Sequence, residues 1–292
     1  MDISVVIATL GRPEPLRRAL ESIAAARPGP LEVLVVDGDE GAGARPVVEE
    51  WSAGGLPVRH VVSPRGLTTQ RNVGVREAGG EVVVFLDDDA VVLRADFFEV
   101  LADVYRDDAI AGATGVVVEA EARRFGGRTS RMRRAVLGGG RDGTFSRFGY
   151  PRRLRDQGRA VDVELMQGCL MTVRRDLAEE LGFDESLPGY GLMEDEDFSY
   201  RLSRRGRIRH DPRLAVHHDN TGFLSQDQRA FGRLVVTTRA YLFRKNFVRT
   251  PLARLQFGLL VLALVGHRLM NREWAGARGV LEGALDVWRA RR

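Results

Sequence analysis

The feature that most constrains this chain is an alternation of two periodicities. Short runs of β-branched and apolar residues, Ile3–Ile7, Leu31–Val36, Val58–Val62 and Val82–Leu86, read as strands. Between and after them, apolar residues recur at helical spacing in Glu14–Ala26, Arg45–Trp51, Thr69–Ala78 and Ala95–Tyr105. A strand that is apolar on both sides belongs in a sheet covered on both faces. A strand–helix–strand rhythm with short Gly/Pro connections makes that sheet mostly parallel, with helices on both faces. A further strand, Ala113–Val118, closes the regular part. Ligands of open α/β sheets bind beyond the carboxyl ends of the strands, so the residues after each run come next.

Val82–Leu86 runs directly into Asp87-Asp88-Asp89. Three adjacent carboxylates repel one another and need a cation or solvent to stay ionised. A divalent metal clamped to an anionic substrate is the reading preferred over a solvated turn. The first strand ends in Ala8-Thr9-Leu10-Gly11-Arg12 and the second in Asp37-Gly38-Asp39, on the same sheet edge. A nucleotide needs separate partners there for base, ribose and phosphates.

Gly66-Leu67-Thr68-Thr69-Gln70-Arg71-Asn72-Val73-Gly74 opens the third helix. Gly66 permits close backbone approach, Thr68 or Thr69 is the expected cap, and the helix start attracts phosphate, with Arg71 adding a charge-assisted contact. A second acidic group, Glu194-Asp195-Glu196-Asp197, opens a helix expected over Glu194–Arg205. Acids suit a first turn through the helix dipole. Asp195, three residues before the apolar Phe198, lies at the edge of the buried face, where a carboxylate can act as a general base. Asp197 and Arg201 read as a surface i,i+4 pair. His217-His218 follow the strand end Leu214-Ala215-Val216; alternation sends the two rings to opposite faces, so one of them is expected to reach a metal, with His217 preferred.

With 44% apolar and 29% charged residues over 292 positions, the chain is globular, neither disordered nor multispan. The lone Cys169 excludes an intrachain disulfide and suits a reducing compartment. Met1-Asp2 leads straight into the first strand, so no signal peptide is expected and a cytoplasmic or cytosol-facing protein is. The net charge of +4 is unevenly placed: Arg244–Arg292 holds ten basic residues against three acidic ones. No recognition helix or zinc pattern accompanies it, so no nucleic acid is expected as a partner.

Segment 120–160, rich in arginine and glycine, reads as an excursion at the mouth of a site or as a surface loop. Val161–Met166, Leu170–Val173 and a helix Arg175–Leu181 stopped by Gly182 follow, and a long helix is expected from about Gln226 to Phe247. Phe257–Gly266 is apolar all round but falls short of the ~20 residues that span a bilayer. It reads as a packed or self-associating helix, preferred here, or as a segment lying in a membrane interface beside its arginines.

In order and spacing, Val5-Val6-Ile7-Ala8-Thr9, Val35-Val36-Asp37-Gly38, Gln70-Arg71-Asn72-Val73-Gly74, Phe85-Leu86-Asp87-Asp88-Asp89, Gln167-Gly168-Cys169-Leu170-Met171, Gly182-Phe183-Asp184-Glu185 and Glu194-Asp195-Glu196-Asp197-Phe198-Ser199-Tyr200-Arg201-Leu202 closely resemble the family-2 glycosyltransferases of GT-A fold, over roughly residues 3–220. The resemblance implies a nucleotide-diphospho-sugar transferase fold in 1–222, split into a nucleotide-binding half (1–118) and an acceptor half (119–222), with a C-terminal helical region in 223–292. It implies an inverting transferase of hexosyltransferase type, taking a sugar from a nucleoside-diphosphate donor to a carbohydrate, lipid-linked or small-molecule acceptor. Thr9 and Asp37 would then line the base pocket, Arg71 would lie near the diphosphate, and Asp87, Asp88 and Glu194 would belong to the donor site. Asp89, with His217 or His218, would hold Mg²⁺ or Mn²⁺, and Asp195 would be the base. Peripheral membrane contact or self-association would fall to the C-terminal helices.

Three rival readings fit these residues less well. An aspartyl-phosphate phosphatase would use Asp87 as nucleophile but needs a downstream lysine, and Lys245, the only one in the chain, has no phosphate-site pattern around it. A nucleotidyltransferase making sugar nucleotides would carry a Gly-rich, basic loop after the first strand, which Ala8–Arg12 matches poorly. A non-catalytic nucleotide-sugar-binding protein has no need of a base at Asp195.

Overall fold

The computed structural model describes residues 1–119, 140–187, 190–219 and 227–289. It divides into two compact units, Met1–Ala122 with Leu154–Ser186 and Glu194–Asn220, and Arg123–Arg153 with Leu187–Met193 and Thr221–Arg292.

The first unit begins with β1 (Ile3–Thr9), α1 (Pro13–Ala25), β2 (Glu32–Asp37), α2 (Arg45–Ala53), β3 (Val58–Val62), α3 (Leu67–Glu77) and β4 (Val82–Asp87). It continues with β5 (Ala90–Val92), α4 (Phe97–Val104) and β6 (Ile110–Glu119). The second unit contributes β7 (Thr144–Phe145) and β8 (Pro151–Arg152), after which the first unit resumes with β9 (Val161–Val163), β10 (Leu170–Arg174), α5 (Arg175–Leu181), α6 (Glu194–Leu202) and β11 (Arg207–His218). The second unit ends in α7 (Gln228–Asn246), α8 (Pro251–Met270) and α9 (Trp274–Arg289).

Among the described residues the main sheet has nine strands in the order β3-β2-β1-β4-β10-β6-β11-β5, with β9 paired to β11. Strands β1 to β4 are mutually parallel, as the alternation requires, whereas β10 enters antiparallel between β4 and β6. The period of two in each strand sorts its side chains between two cores. Val5, Ile7, Val33, Val35, Val82 and Val84 pack with Leu16, Leu20, Phe97 and Leu101 from α1 and α4. Val6, Leu34, Val36, Val83 and Phe85 pack on the other side with Val75, Phe183, Phe198 and Leu202.

Gly74 lets α3 lie directly on β1: a Cβ there would stand 2.3 Å from Val6 Cγ1. The helix begins at Leu67, with Gly66 at φ 147° as its N-cap and no side-chain cap, earlier than the threonine caps expected from sequence. Thr69 donates instead to Glu185 Oε2 at 3.1 Å. Asn72 holds the Gly182–Glu185 turn, accepting from Phe183 N at 2.7 Å and donating to Phe183 O at 2.9 Å and Glu185 Oε1 at 2.7 Å.

Three other expectations change. The strand expected to end at Val216 is a 12-residue strand reaching His218, because β5 pairs with it and places His218 opposite Ala90. The Asp197–Arg201 pair is not at the surface: Asp197 is 1% exposed, and Arg201 also donates to Leu181 O and Gly182 O, which pins α6 to the turn after α5. Of segment 120–160, residues 120–139 lie outside the described set, while the β7–β8 hairpin gives order to the remainder.

In the second unit, α7 and α9 approach backbone to backbone. Cβ atoms at Gly232, Gly279 and Gly283 would meet carbonyl oxygens of the opposite helix at 2.5, 2.0 and 2.7 Å. The apolar run Phe257–Gly266 lies within the 20-residue α8, of which only Ala253, Phe257 and Leu260 are buried.

Candidate active site

Parallel pairing aligns the ends of β1, β2 and β4. Thr9 stands opposite Asp37 and Ala8 opposite Asp87, so the carboxylates read from separate strand ends share one edge. The turn from β4 into β5 carries Asp88 and Asp89, and β5 pairs with the last residues of β11. That pairing brings His218 Nε2 to 3.1 Å from Asp89 Oδ1 and 3.7 Å from Asp87 Oδ2. Asp87, Asp89 and His218 each offer a ligand atom, all within 4.8 Å of one another. Two carboxylates and one imidazole form a donor set suited to a divalent cation. His217, the histidine preferred from sequence, lies outside this group: strand alternation turns its ring the other way, to 3.6 Å from Asp219 Oδ1.

Arg12, which in the sequence is only part of a strand end, reaches two of these carboxylates. Its two terminal nitrogens lie 2.7 Å from Asp88 Oδ1 and 2.8 Å from Asp89 Oδ2. The signal was present, because three carboxylates at one edge call for cations and an arginine stood at the neighbouring strand end. The burial of Asp88 pushes its carboxyl up to about 6, against the hydrogen bond from Thr9 and the charge of Arg12. Burial acts upward on Asp89 as well, but hydrogen bonds from His218 and Arg12 outweigh it and hold the group down at about 2. Burial lowers His218, and Asp89 and Asp87 more than reverse that, so its imidazole is raised.

Arg71 ties the two acidic motifs together. It is buried, with one terminal nitrogen 2.9 Å from Glu194 Oε1 and the other 3.0 Å from Asp87 Oδ1 and 2.9 Å from Gly168 O. Its guanidinium carbon lies 5.3 Å from the ring centroid of Phe183, which stacks on Phe198 at 4.4 Å. Gly168 N in turn donates to Asp195 Oδ2 at 3.2 Å, so Asp195 joins Asp87 through Gly168 and Arg71. Full enclosure and the adjacent Asp195 push Glu194 upward, and Arg71 only partly opposes them because it is shared with Asp87. Gly168 leaves room for this closeness: a Cβ there would stand 3.1 Å from Glu194 Oε1, so that carboxylate would have to give by a few tenths of an ångström.

Thr9 and Asp37 are placed at the edge but turned inward. The Thr9 hydroxyl donates to Asp88 Oδ2 at 2.7 Å. Asp37 is fully buried, accepting from Asp39 N at 2.9 Å and Ala44 N at 3.2 Å, with His60 Nε2 at 3.1 Å. Both residues therefore shape the loops after β1 and β2. Gln70, also unassigned in the sequence reading, braces these strand ends by donating to Thr9 O at 2.7 Å and Val36 O at 2.8 Å. A hollow of about 520 Å³ lies away from this edge, along α2 and β3.

Fold and site together define a class: an open α/β sheet whose strand ends gather carboxylates around a cation-ready group, the GT-A architecture of nucleotide-diphospho-sugar transferases. Residues 4–182 match the family described as glycosyl transferase family 2, and the chain belongs to that family of glycosyltransferases. A Bacillus subtilis (strain 168) protein described as the uncharacterized glycosyltransferase YwdF is 26% identical over 217 residues, 74% of this chain and 73% of that one. The glucosyl-dolichyl phosphate glucuronosyltransferase of Haloferax volcanii is 35% identical over 122 residues, 40% of this chain and 38% of that one. Among solved structures, the mannosyltransferase PcManGT from Pyrobaculum calidifontis in complex with GDP-Man and Mn²⁺ superposes with a TM-score of 0.61 at 16% identity. The alignment covers 99% of this chain and 88% of that one. S. aureus TarS 1-349 in complex with UDP-GlcNAc gives 0.58 at 17% identity, over 92% of this chain and 73% of that one.

Proposed function

We propose that this glycosyltransferase transfers a sugar from a nucleoside-diphosphate donor to an acceptor hydroxyl by a single inverting displacement, with Asp195 as the base. The observation that carries the reading is the Arg71 bridge. One buried guanidinium holds Asp87 at 3.0 Å and Glu194 at 2.9 Å, and so sets Asp195 beside the strand ends that bear the cation-ready group. A leaving group on one side of the anomeric carbon and a base on the other is what an inverting displacement requires.

Asp87, Asp89 and His218 would hold Mg²⁺ or Mn²⁺, which supplies Lewis-acid charge opposite the diphosphate when bound. The remaining work falls to the chain itself. Asp195, half-buried at the first turn of α6, takes the proton from the acceptor oxygen. Arg71, fully committed to Asp87, Glu194 and Gly168, acts as a positioning residue rather than as a direct phosphate ligand. Thr9 and Asp37 contribute to the donor pocket through the loops they tie, and Asp88 through its hold on Thr9 and Arg12. Glu194 belongs to the donor side through Arg71.

The test is Asp195→Asn. Transfer is expected to fall below detection, while nucleoside-diphosphate affinity with Mn²⁺, measured by titration calorimetry, stays within a few-fold of the parent. Loss of nucleotide binding in a folded variant would remove Asp195 from the base role. NMR of the product's anomeric configuration tests inversion, and release of nucleoside diphosphate rather than pyrophosphate tests the reaction class.

A further inference from the structure

The second unit carries an apolar surface that sugar transfer does not require. In α8, only 17% of the most apolar stretch is buried. One face packs inward: Phe257 stacks on Phe243 of α7 at 5.3 Å, flanked by Ala253 and Leu260. The outward face presents Leu252, Leu255, Leu259, Leu262 and Leu269, with Leu255 and Leu262 61% and 65% exposed. Their spacing of three, four, three and seven makes one continuous stripe along the helix. A second stripe runs along α9, where Trp274, Leu281, Leu285 and Trp288 are each about half exposed or more while the glycines of the opposite face press on α7.

What covers this surface follows from its borders. A second helix of the same kind would call for charged residues beside the stripe, and a protein partner would call for a polar rim. From Phe257 to Gly266 the positions flanking the α8 leucines are Gly258, Ala263 and Val265, which offer neither, and the polar neighbours Arg254 and Gln256 stand in the first two turns of the helix. Charge appears only at the helix ends, where Arg249, Arg254 and Arg272 are exposed. The acids of this segment are already engaged, Glu273 by Arg268, Glu282 by Arg229 and Arg278, and Asp286 by Arg233. The surface is therefore apolar along its length and cationic at its ends, with tryptophans at both ends of α9, as a helix lying in an anionic lipid interface requires. By length and composition alone the 20-residue α8 could cross a membrane, but only Leu255 to His267 lie between its arginines at 254 and 268, a length of about 20 Å at 1.5 Å per residue, against ~30 Å for a bilayer core.

We infer that the outward face of α8, supported by that of α9, seats this enzyme on anionic phospholipid membranes, with α8 lying in the interface rather than crossing it. Leucine side chains enter the acyl boundary and Arg249, Arg254 and Arg272 meet the headgroups.

The test is flotation of the full chain with phosphatidylcholine vesicles, with and without phosphatidylglycerol. The parent is expected to float with the anionic vesicles, less with the neutral ones, and less as salt rises. Leu255→Glu/Leu262→Glu is expected to lower the partition coefficient by at least about tenfold, since two apolar side chains leave the lipid. Its circular dichroism and nucleotide-diphosphate binding should match the parent, because both positions are exposed and belong to neither acidic motif. Arg249→Gln/Arg254→Gln is expected to reduce the preference for anionic over neutral vesicles. The inference is overturned if the parent stays unbound with both vesicle types, or if the leucine variant floats like the parent. A parent dimer that ignores vesicles and becomes monomeric with the leucine substitutions would assign the face to a second copy of the chain, and would equally overturn it. These readouts involve no turnover, so their failure is distinguishable from failure of the transferase reading.

Discussion

At the scale of single residues, the site is a set of carboxylates arranged around two arginines and a histidine. Arg71 is the buried one, and removing it leaves Glu194 and Asp87 facing each other without a cation. Breaking a buried ion pair by deleting one partner costs about 3–5 kcal/mol. Arg71→Ala is therefore expected to lower unfolding stability in urea by that amount, with donor binding lost alongside. A loss under about 1 kcal/mol would mean that solvent reaches this pair and that surface values apply. Arg12 is more exposed and does a different job, compensating Asp88 and Asp89. Arg12→Gln removes a competitor for Asp89, so Mn²⁺ is expected to bind several-fold more tightly without nucleotide, as read from free Mn²⁺ by electron paramagnetic resonance. Unchanged or weaker binding would show that Arg12 does not oppose the cation. The sequence made Asp87, Asp89 and Asp195 readable because three consecutive acids follow a buried strand and Asp195 lies at the edge of a buried helix face, in the order of the family's motifs. For Arg12 the sequence offered only its place at the neighbouring strand end, and which carboxylates it meets depends on what its long side chain reaches. His218 over His217 was decided by the pairing of β5 with β11, two segments far apart in the chain.

Among the elements, α3 matters most. It brings Gln70, Arg71 and Asn72 to three separate tasks in consecutive positions, and Gly74 permits this by letting the helix rest on Val6. Gly74→Val is expected to push α3 off β1 and cost about 1–3 kcal/mol through overpacking. Donor affinity should fall with stability, because the Arg71 bridge moves with the helix. A variant that loses stability but keeps full donor affinity would show that α3 and the site are not coupled in this way. The strands β1 to β4 and their helices were legible because their apolar runs are bounded by Gly, Pro and Asp. The three-residue β5 was not, since Ala90-Val91-Val92 is too short to show a period and exists as a strand only because β11 lies beside it. The α8 helix was read as a ten-residue run, although its Thr250 cap, which accepts from Ala253 N, and Pro251 at its first position mark a longer element.

For the molecule as a whole, the shifted groups set a pH dependence with a definite sign. Glu194 is pushed above its ordinary value by enclosure and by the charge of Asp195, with Arg71 opposing, so the folded state holds its proton more tightly than the unfolded chain does. That contribution to stability is full below about pH 4.5 and is lost as pH rises through the raised value. The raised His218 acts in the same sense above its ordinary 6.5. Glu32 and Asp211 are lowered, so their contributions are present above their ordinary pKa values and are lost as pH falls through the depressed ones. Without divalent cation, melting temperature is expected to decline from about pH 5 to pH 8, and Glu194→Gln is expected to flatten that decline; a slope left intact by the substitution would place Glu194 outside it. By itself, the sequence determined the alternating architecture, the acidic edge and the family, because periodicity and strand-end chemistry are local properties that neighbouring residues express together. Only the tertiary structure decided which cation faces which carboxylate, which histidine joins the group and which face of α8 stays uncovered, because each depends on side chains brought together from distant parts of the chain.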